Sequence, residues 1–396
     1  MGHGVVGRGR RTRRSVGLLV ATAMALLVGA CTPGEGGAWT APASMSTART
    51  AHTATVLTSS GRVLVAGGAN GSGPLRSVER YDPGADTWVP LAPMGSGRSG
   101  HTATELADGR VLVAGGTTGA TAEVYDRAAD RWTSTGAMKA AHSGHGAARL
   151  TNGRVLVADH TSAELFNPAT GTWSSTGPLP QFGSVEDDER VTSGPYLDGL
   201  LALPSGRALA VLSREITELP QCPGVCSSSW AETATLEYRT STNQWAERPD
   251  MKRQRARTTV AKLSSGRILV AGGITGGIFG DDCATGATEV YDPSTQEWLE
   301  RDGMTADRTR HAATLLPDGR VLVSGGFDAG CDDASPTLSS AELYDPDVLG
   351  FTNATSMGQG RRDHEAVRLG NGRVLVVGGT DASDAALASA ELYTPG

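Results

Sequence analysis

Gly109-Arg110-Val111-Leu112-Val113-Ala114-Gly115-Gly116 decides how this 396-residue chain is read, because it recurs. Close copies run Gly61–Gly68, Gly266–Gly273, Gly319–Gly326 and Gly372–Gly379. Weaker ones start at Gly153 (Gly-Arg-Val-Leu-Val-Ala-Asp) and Gly206 (Gly-Arg-Ala-Leu-Ala-Val-Leu). Seven copies of one apolar strand mean a repeat architecture. Glycine is abundant and aromatics are few, and turn residues cut the chain into short alternating runs, so the fold is expected to be all-β.

Outward from the second copy the pattern is regular. His101–Leu106 alternates, Asp108-Gly109 supplies the positive-φ residues of a tight hairpin, and the quoted stretch returns as the second strand. Ala122–Asp126 reads as a third strand and Arg131–Ser134, with Trp132, as a fourth. These positions are called A to D. The third repeats around Glu-x-Tyr-Asp, as at Glu79–Asp82 and Glu289–Asp292. The fourth carries Trp88, Trp132, Trp173, Trp245 and Trp298, with Phe351 in the sixth copy.

The seventh copy reaches only its third strand, Glu391–Thr394, whereas Trp39 precedes the first A strand and is followed by Met45 much as Trp88 is by Met94. The N-terminal segment is therefore expected to supply the outer strand of the last unit and close a ring. Burying one Trp is worth roughly 4–6 kcal/mol at most, against a domain stability of about 5–15 kcal/mol. Four-stranded units at this spacing predict a seven-bladed β-propeller closed by an N-terminal strand.

Arg-x-x-His on strand A, a double glycine ending strand B, then Tyr-Asp-Pro and Trp together resemble the kelch repeat. The resemblance spans Trp39 to Gly396 and implies a β-propeller with strand A innermost. It weakens in copy three, which has Ala158-Asp159, and in copy four, which lacks the double glycine and the histidine.

Residues 1–30 read as a signal peptide, with Arg8, Arg10, Arg11, Arg13 and Arg14 before the apolar run Val16–Ala30. Val28-Gly29-Ala30-Cys31 resembles a bacterial lipoprotein box, which implies a lipid on Cys31 and a protein exported to the periplasmic or cell-surface side. The arginine-rich start leaves the general secretory and twin-arginine routes both open. Residues 31–37 read as a lipid-anchored tether and 38–396 as the propeller. Losing five arginines and no acids takes the formal charge from −7 to −12, which argues against nucleic acid.

Five histidines, His52, His101, His145, His311 and His364, begin strand A, and Asp198 and Thr258 hold the other two places. Their spread around a ring favours hydrogen bonds to neighbouring blades over a metal site. Three residues earlier lie Arg49, Arg98, Arg255, Arg308 and Arg361, with His142 and Pro195 at the remaining places. These arginines are candidates for a guanidinium ring at the channel mouth that holds a ligand's carboxylates, or for pairing between blades with the repeated Glu of strand C. The loops Ser213–Thr233, Ile274–Thr288 and Phe327–Ser340 build up one side of that face, and Trp230 and Phe279 there are candidate contacts.

Cys283 and Cys331 fall in equivalent loops of adjacent blades and are expected to form a disulfide. Cys222 and Cys226 would close a smaller one, with half a zinc site as the alternative. Asp281, Asp282, Asp332 and Asp333 offer a weak calcium site or a solvated acidic surface. No other metal and no cofactor is expected. The leading expectation is a monomeric, envelope-anchored scaffold that binds a protein or glycan through the channel-mouth face of blades 4–6, with no catalytic residue assigned. The alternative is a carbohydrate-active enzyme. Some periplasmic kelch proteins are sialic-acid mutarotases or epimerases, to which Glu186, Asp187 and Glu215 could contribute. A copper-radical oxidase resembling galactose oxidase needs a Cys–Tyr crosslink and Tyr and His ligands, a set that is not evident here.

Overall fold

In the computed structural model the described residues are Met1, 36–142, 144–180, 190–218, 228–276, 283–329 and 336–396. The chain divides into Met1–Thr32, of which only Met1 is described, and Pro33–Gly396, which is the subject below. The leader and Cys31 therefore lie outside the described residues.

Seven four-stranded antiparallel sheets form a seven-bladed β-propeller. Blade 1 runs Thr53–Leu57, Arg62–Ala66, Val78–Asp82 and Thr87–Leu91, in that spatial order. The A strands of the others are Thr102–Glu105, Gly146–Arg149, Arg190–Leu203, Thr259–Lys262, Ala312–Leu315 and Glu365–Arg368. Each A strand touches the A strands of both neighbours, the last returning to the first, so these strands line the central channel.

Closure occurs inside blade 7. Its order is Glu365–Arg368, Val374–Val377, Ala390–Thr394 and then Ala38–Thr40. The pairing sets Ala38 against Thr394, Trp39 against Tyr393 and Thr40 against Leu392. Trp39 is only half-buried, so the energy of closure comes less from its ring than expected. Its indole N–H donates to the Thr355 carbonyl at 2.7 Å, and its ring lies 5.1 Å from that of Tyr393. Met45 does the rest: it is buried with Val63 and Val65 of blade 1 and Leu375 and Leu392 of blade 7.

The same aromatic pair recurs blade by blade, Tyr81 with Trp88 at 5.0 Å and Tyr344 with Phe351 at 5.2 Å. The indoles reach the preceding connection, as Trp88 does to the Ala43 carbonyl and Trp132 to that of Ala92. Every second side chain of strand B thus packs in a core shared with the next blade, and no blade buries its faces alone.

Blade 4 departs from expectation. Ser213–Thr233 is not a loop from end to end: strand B continues to Glu218 and strand C begins at Ser228, with Ser213 paired to Thr233 and Glu218 to Ser228. Strand A starts early, at Arg190, to cover them. Blade 4 therefore projects as a three-stranded extension on the face that carries the B-to-C loops.

Deleting Ala38–Met45 removes three ladder pairs and a buried Met, and a fall in melting temperature of roughly 10 °C or more is expected by thermal scanning. An unchanged melting temperature would contradict closure by this strand.

Candidate functional site

The five arginines expected at the channel mouth are not there for a ligand. Each is at most 1 % exposed, and none offers its guanidinium to solvent. Arg49 donates through Nη2 to Glu79 at 2.8 Å and through Nη1 to the carbonyls of Gly67 and Ser77. Arg308 and Arg361 repeat this with Glu342 at 2.8 Å and Glu391 at 3.0 Å. Arg98 holds Glu123 at 3.0 Å, and Arg255 holds Glu289 at 2.7 Å. The pairing lies within a blade, not between blades. The Glu oxygens also accept backbone N–H groups of the incoming connection, as Glu79 does from Ser46 and Thr47. One buried ion pair thus fastens the D-to-A connection to strand C.

The histidines act between blades. His145 Nε2 lies 3.0 Å from the Ala114 carbonyl of blade 2, and His101 Nε2 lies 3.1 Å from Thr53 of blade 1. Burial, reinforced by the nearby arginine, pushes His52, His101 and His364 down to about 3, so these rings are neutral. Each packs on the first glycine of the preceding blade. A Cβ on Gly67 would stand 2.7 Å from His101 Cε1, and one on Gly378 would stand 2.5 Å from His52. Gly67 also has φ +59°, so a side chain is excluded twice.

Both rules lapse together. Blade 3 puts Asp159 where the glycine stands, and the next blade has Asp198 in place of His. Blade 4 has Leu212 there, and the next blade has Thr258. Asp159 instead accepts from His142 Nδ1 at 2.7 Å. Burial opposes the charge on His142, but Asp159 and Glu164 outweigh it and raise its pKa. Asp198 joins blades 4 and 5 by accepting from Ser213 Oγ at 2.9 Å and Thr258 Oγ1 at 2.8 Å.

The residue before the ring histidine tells blades apart. It has φ near +50° in blades 1, 5, 6 and 7, as Ala51, Arg257, Arg310 and Asp363, and is Gly100 and Gly144 in blades 2 and 3, also at positive φ. Three charged side chains thus occupy a left-handed position that elsewhere takes Ala or Gly, at a cost of about 1 kcal/mol or more each. All three face one cavity of about 790 Å³ at the channel wall of blades 4–7, together with Tyr196, Asp198 and Glu365. Arg257 is ion-paired to Glu215 at 2.8 Å, hydrogen-bonded to the Tyr196 hydroxyl at 2.9 Å and stacked on its ring. Arg310 holds Asp363 through Nε at 2.9 Å. With 38 % and 39 % of their side chains exposed, Arg257 and Arg310 reach solvent where the buried arginines do not.

Two carboxyls in this cavity lack such partners. Burial lifts Asp198 to about 7 despite its two hydroxyl donors and the distant pull of Arg255. Burial alone lifts Glu365 to about 7. Glu365 follows the ring histidine, where the other blades have Thr53, Thr102, Gly146, Gly199, Thr259 and Ala312.

Of the other expected residues, Trp230 is half-buried on the blade 4 extension opposite Ile216. Cys283 is disulfide-bonded. Cys222, Cys226, Cys331, Phe279, Asp281, Asp282, Asp332, Asp333, Glu186 and Asp187 lie outside the described residues.

Residues 51–95 match the family model of the Kelch motif. Galactose oxidase of Gibberella zeae is 24 % identical over 345 residues, 83 % of this chain and 50 % of that protein. The spermatocyte protein spe-26 of Caenorhabditis elegans is 30 % identical over 96 residues, 24 % of this chain and 16 % of that protein. The chain spans about half the length of the galactose oxidases it matches. A fungal alcohol oxidase of the AA5 family, solved in complex with copper, superposes with a TM-score of 0.69 at 16 % identity, covering 91 % of this chain and 76 % of that one, which shows the fold. Among the described residues no three His, Cys, Asp or Glu side chains group so as to hold a metal ion, and the ring histidines are committed to neighbouring blades. A copper centre does not fit the residues described.

Glu365 gives the cavity a pH signature. The unfolded chain releases this proton near pH 4.5 and the folded chain near 7, so stability falls across that interval and levels off above it. Glu365→Gln is expected to be more stable than the parent by about 1–2 kcal/mol at pH 8 and by little at pH 4.5, in denaturant titrations. An equal gain at both pH values would contradict the raised pKa of this partly buried carboxyl.

Proposed function

We propose that this seven-bladed kelch-type β-propeller is a binding scaffold for a protein or glycan partner, exported and held at the cell envelope by a lipid on Cys31. Its binding face is the channel mouth on the side of blades 4–7, which extends the expected patch into blade 7 and moves it off the five buried arginines. The observation that carries this reading is the set Arg257, Arg310 and Asp363, held in strained backbone around one cavity while blades 1–3 present Ala51, Gly100 and Gly144. The blade 4 extension walls that side, where Ser213 and Glu215 reach Asp198 and Arg257. Ala284 N–H donates to the Ala329 carbonyl at 2.7 Å, tying the loops of blades 5 and 6 together beside Cys283 and supporting a bridge to Cys331.

A second reading, a carbohydrate-active enzyme, is favoured by one observation: two carboxyls held near neutrality share a cavity with arginines. Asp198 and Glu365 would then be the proton-transferring pair of a mutarotase or epimerase. The oxidase variant draws on the galactose oxidase relatives and has no fitting ligand set among the described residues.

A glycan and envelope-protein screen on the fragment 37–396 tests the scaffold. The double variant Arg257→Ala/Arg310→Ala is expected to lose at least tenfold in affinity for whatever partner is retained while circular dichroism still reports a folded propeller, the melting temperature falling because Glu215 loses its ion pair. Retained affinity would move the face elsewhere. Sugar mutarotation abolished by Glu365→Gln would establish the enzyme instead.

A further inference from the structure

The charge balance of the cavity names a ligand class. Arg257 is already neutralised by Glu215, and Arg310 by Asp363. His311 and His364 are neutral. On the blade 1 side, His52 is neutral too and Arg49 is spent on Glu79. What is left facing the space are the carboxyls of Asp198 and Glu365. Asp198 keeps two hydroxyl donors, whereas Glu365 has no hydrogen bond or ion pair among the described residues.

Glu365 also stands alone in the repeat, a long acid at a channel-wall position filled elsewhere by Thr, Gly or Ala. A side chain that breaks the local pattern without a compensating contact marks a functional position. The cavity, about 790 Å³, suits an organic molecule, and the described residues do not assemble three ligands for a metal ion. The acidic chain, at −7 overall, concentrates cations at its surface.

We infer that the cavity between blades 4 and 7 binds a small organic ammonium ion, with Glu365 as its anionic partner. The Thr258 and Thr259 hydroxyls donate to Asp198 and the His311 carbonyl and keep lone pairs for hydroxyl groups of the same ligand, and the Tyr196 hydroxyl, which accepts from Arg257, keeps its O–H. This rests on the reading of the channel mouth as the binding face. An ammonium entering beside Glu365 converts the carboxylic acid to carboxylate, and the proton leaves to solvent. Affinity therefore rises with pH and levels off once Glu365 is ionised in the free protein.

Glucamine, sorbitol and gluconate share a polyol chain and differ in charge, and isothermal titration of the fragment 37–396 separates them. Glucamine is expected to bind at least tenfold more tightly than either, releasing protons at pH 6.5 as judged from two buffers of different ionisation enthalpy. Glu365→Gln is expected to abolish both the preference and the proton release. Equal affinity for glucamine and sorbitol, tighter gluconate, no glucamine binding at millimolar concentration, or binding without proton release would each overturn the inference. Because proton release is read on the unaltered chain, a poorly folded variant does not blunt the test. Failure of glucamine with retention of a screened partner removes the ammonium site and leaves the scaffold; the reverse result removes the scaffold alone.

Discussion

A buried guanidinium gripping a buried carboxylate holds this propeller in shape. In five blades the arginine three residues ahead of strand A's first histidine position reaches the glutamate of strand C, and the same carboxylate caps the backbone of the arriving connection. Removing one partner of such a pair strands a charge in the interior at about 3–5 kcal/mol, whereas removing both is close to neutral. Blade 4 displays that logic: Pro195 stands at the arginine position and Leu236 at the glutamate position, so the pair is lost as a unit. Blade 3 keeps the carboxylate and substitutes His142, which lies between Asp159 and Glu164 and whose pKa they raise against its burial.

The second constraint runs from blade to blade. A neutral imidazole seated on a bare glycine of its neighbour sets the distance between inner strands, and at the closing seam Gly378 of the last blade receives His52 of the first. Where Asp159 and Leu212 fill the glycine site, the following histidine is gone and Asp198 and Thr258 make a polar seam instead. The cavity opens along that altered stretch and its continuation. Function, on this account, starts at the altered blade 4 and continues along blades 5–7, where single positions such as Arg257, Arg310 and Glu365 depart from the repeat.

Much of this was legible in the sequence. The Gly-Arg-Val-Leu-Val-Ala-Gly-Gly strand carried the blade count, Trp39 the closing strand, and Phe351 its place opposite Tyr344. The arginines misled because a sequence does not show which charges are buried: Arg-x-x-His looks like a rim motif until Glu79 and its equivalents are seen to face it. Aligning the copies sets Ala51, Gly100 and Gly144 against Arg257, Arg310 and Asp363, and Thr or Gly against Glu365, so the asymmetry was written there. Its meaning depended on a left-handed backbone that only glycine advertises. The blade 4 extension hid behind serines and a Cys-Pro-Gly sequence, which read as loop although Arg207–Glu218 and Ser228–Arg239 pair as strands.

The buried arginines serve the fold, and the channel wall is left for binding. A double-mutant cycle on Arg308 and Glu342, followed by denaturant unfolding, tests this division most directly. Arg308→Met alone is expected to cost about 3–5 kcal/mol, and Arg308→Met/Glu342→Leu to recover most of the loss. An Arg308→Met protein as stable as the parent but deficient in partner binding would contradict that division.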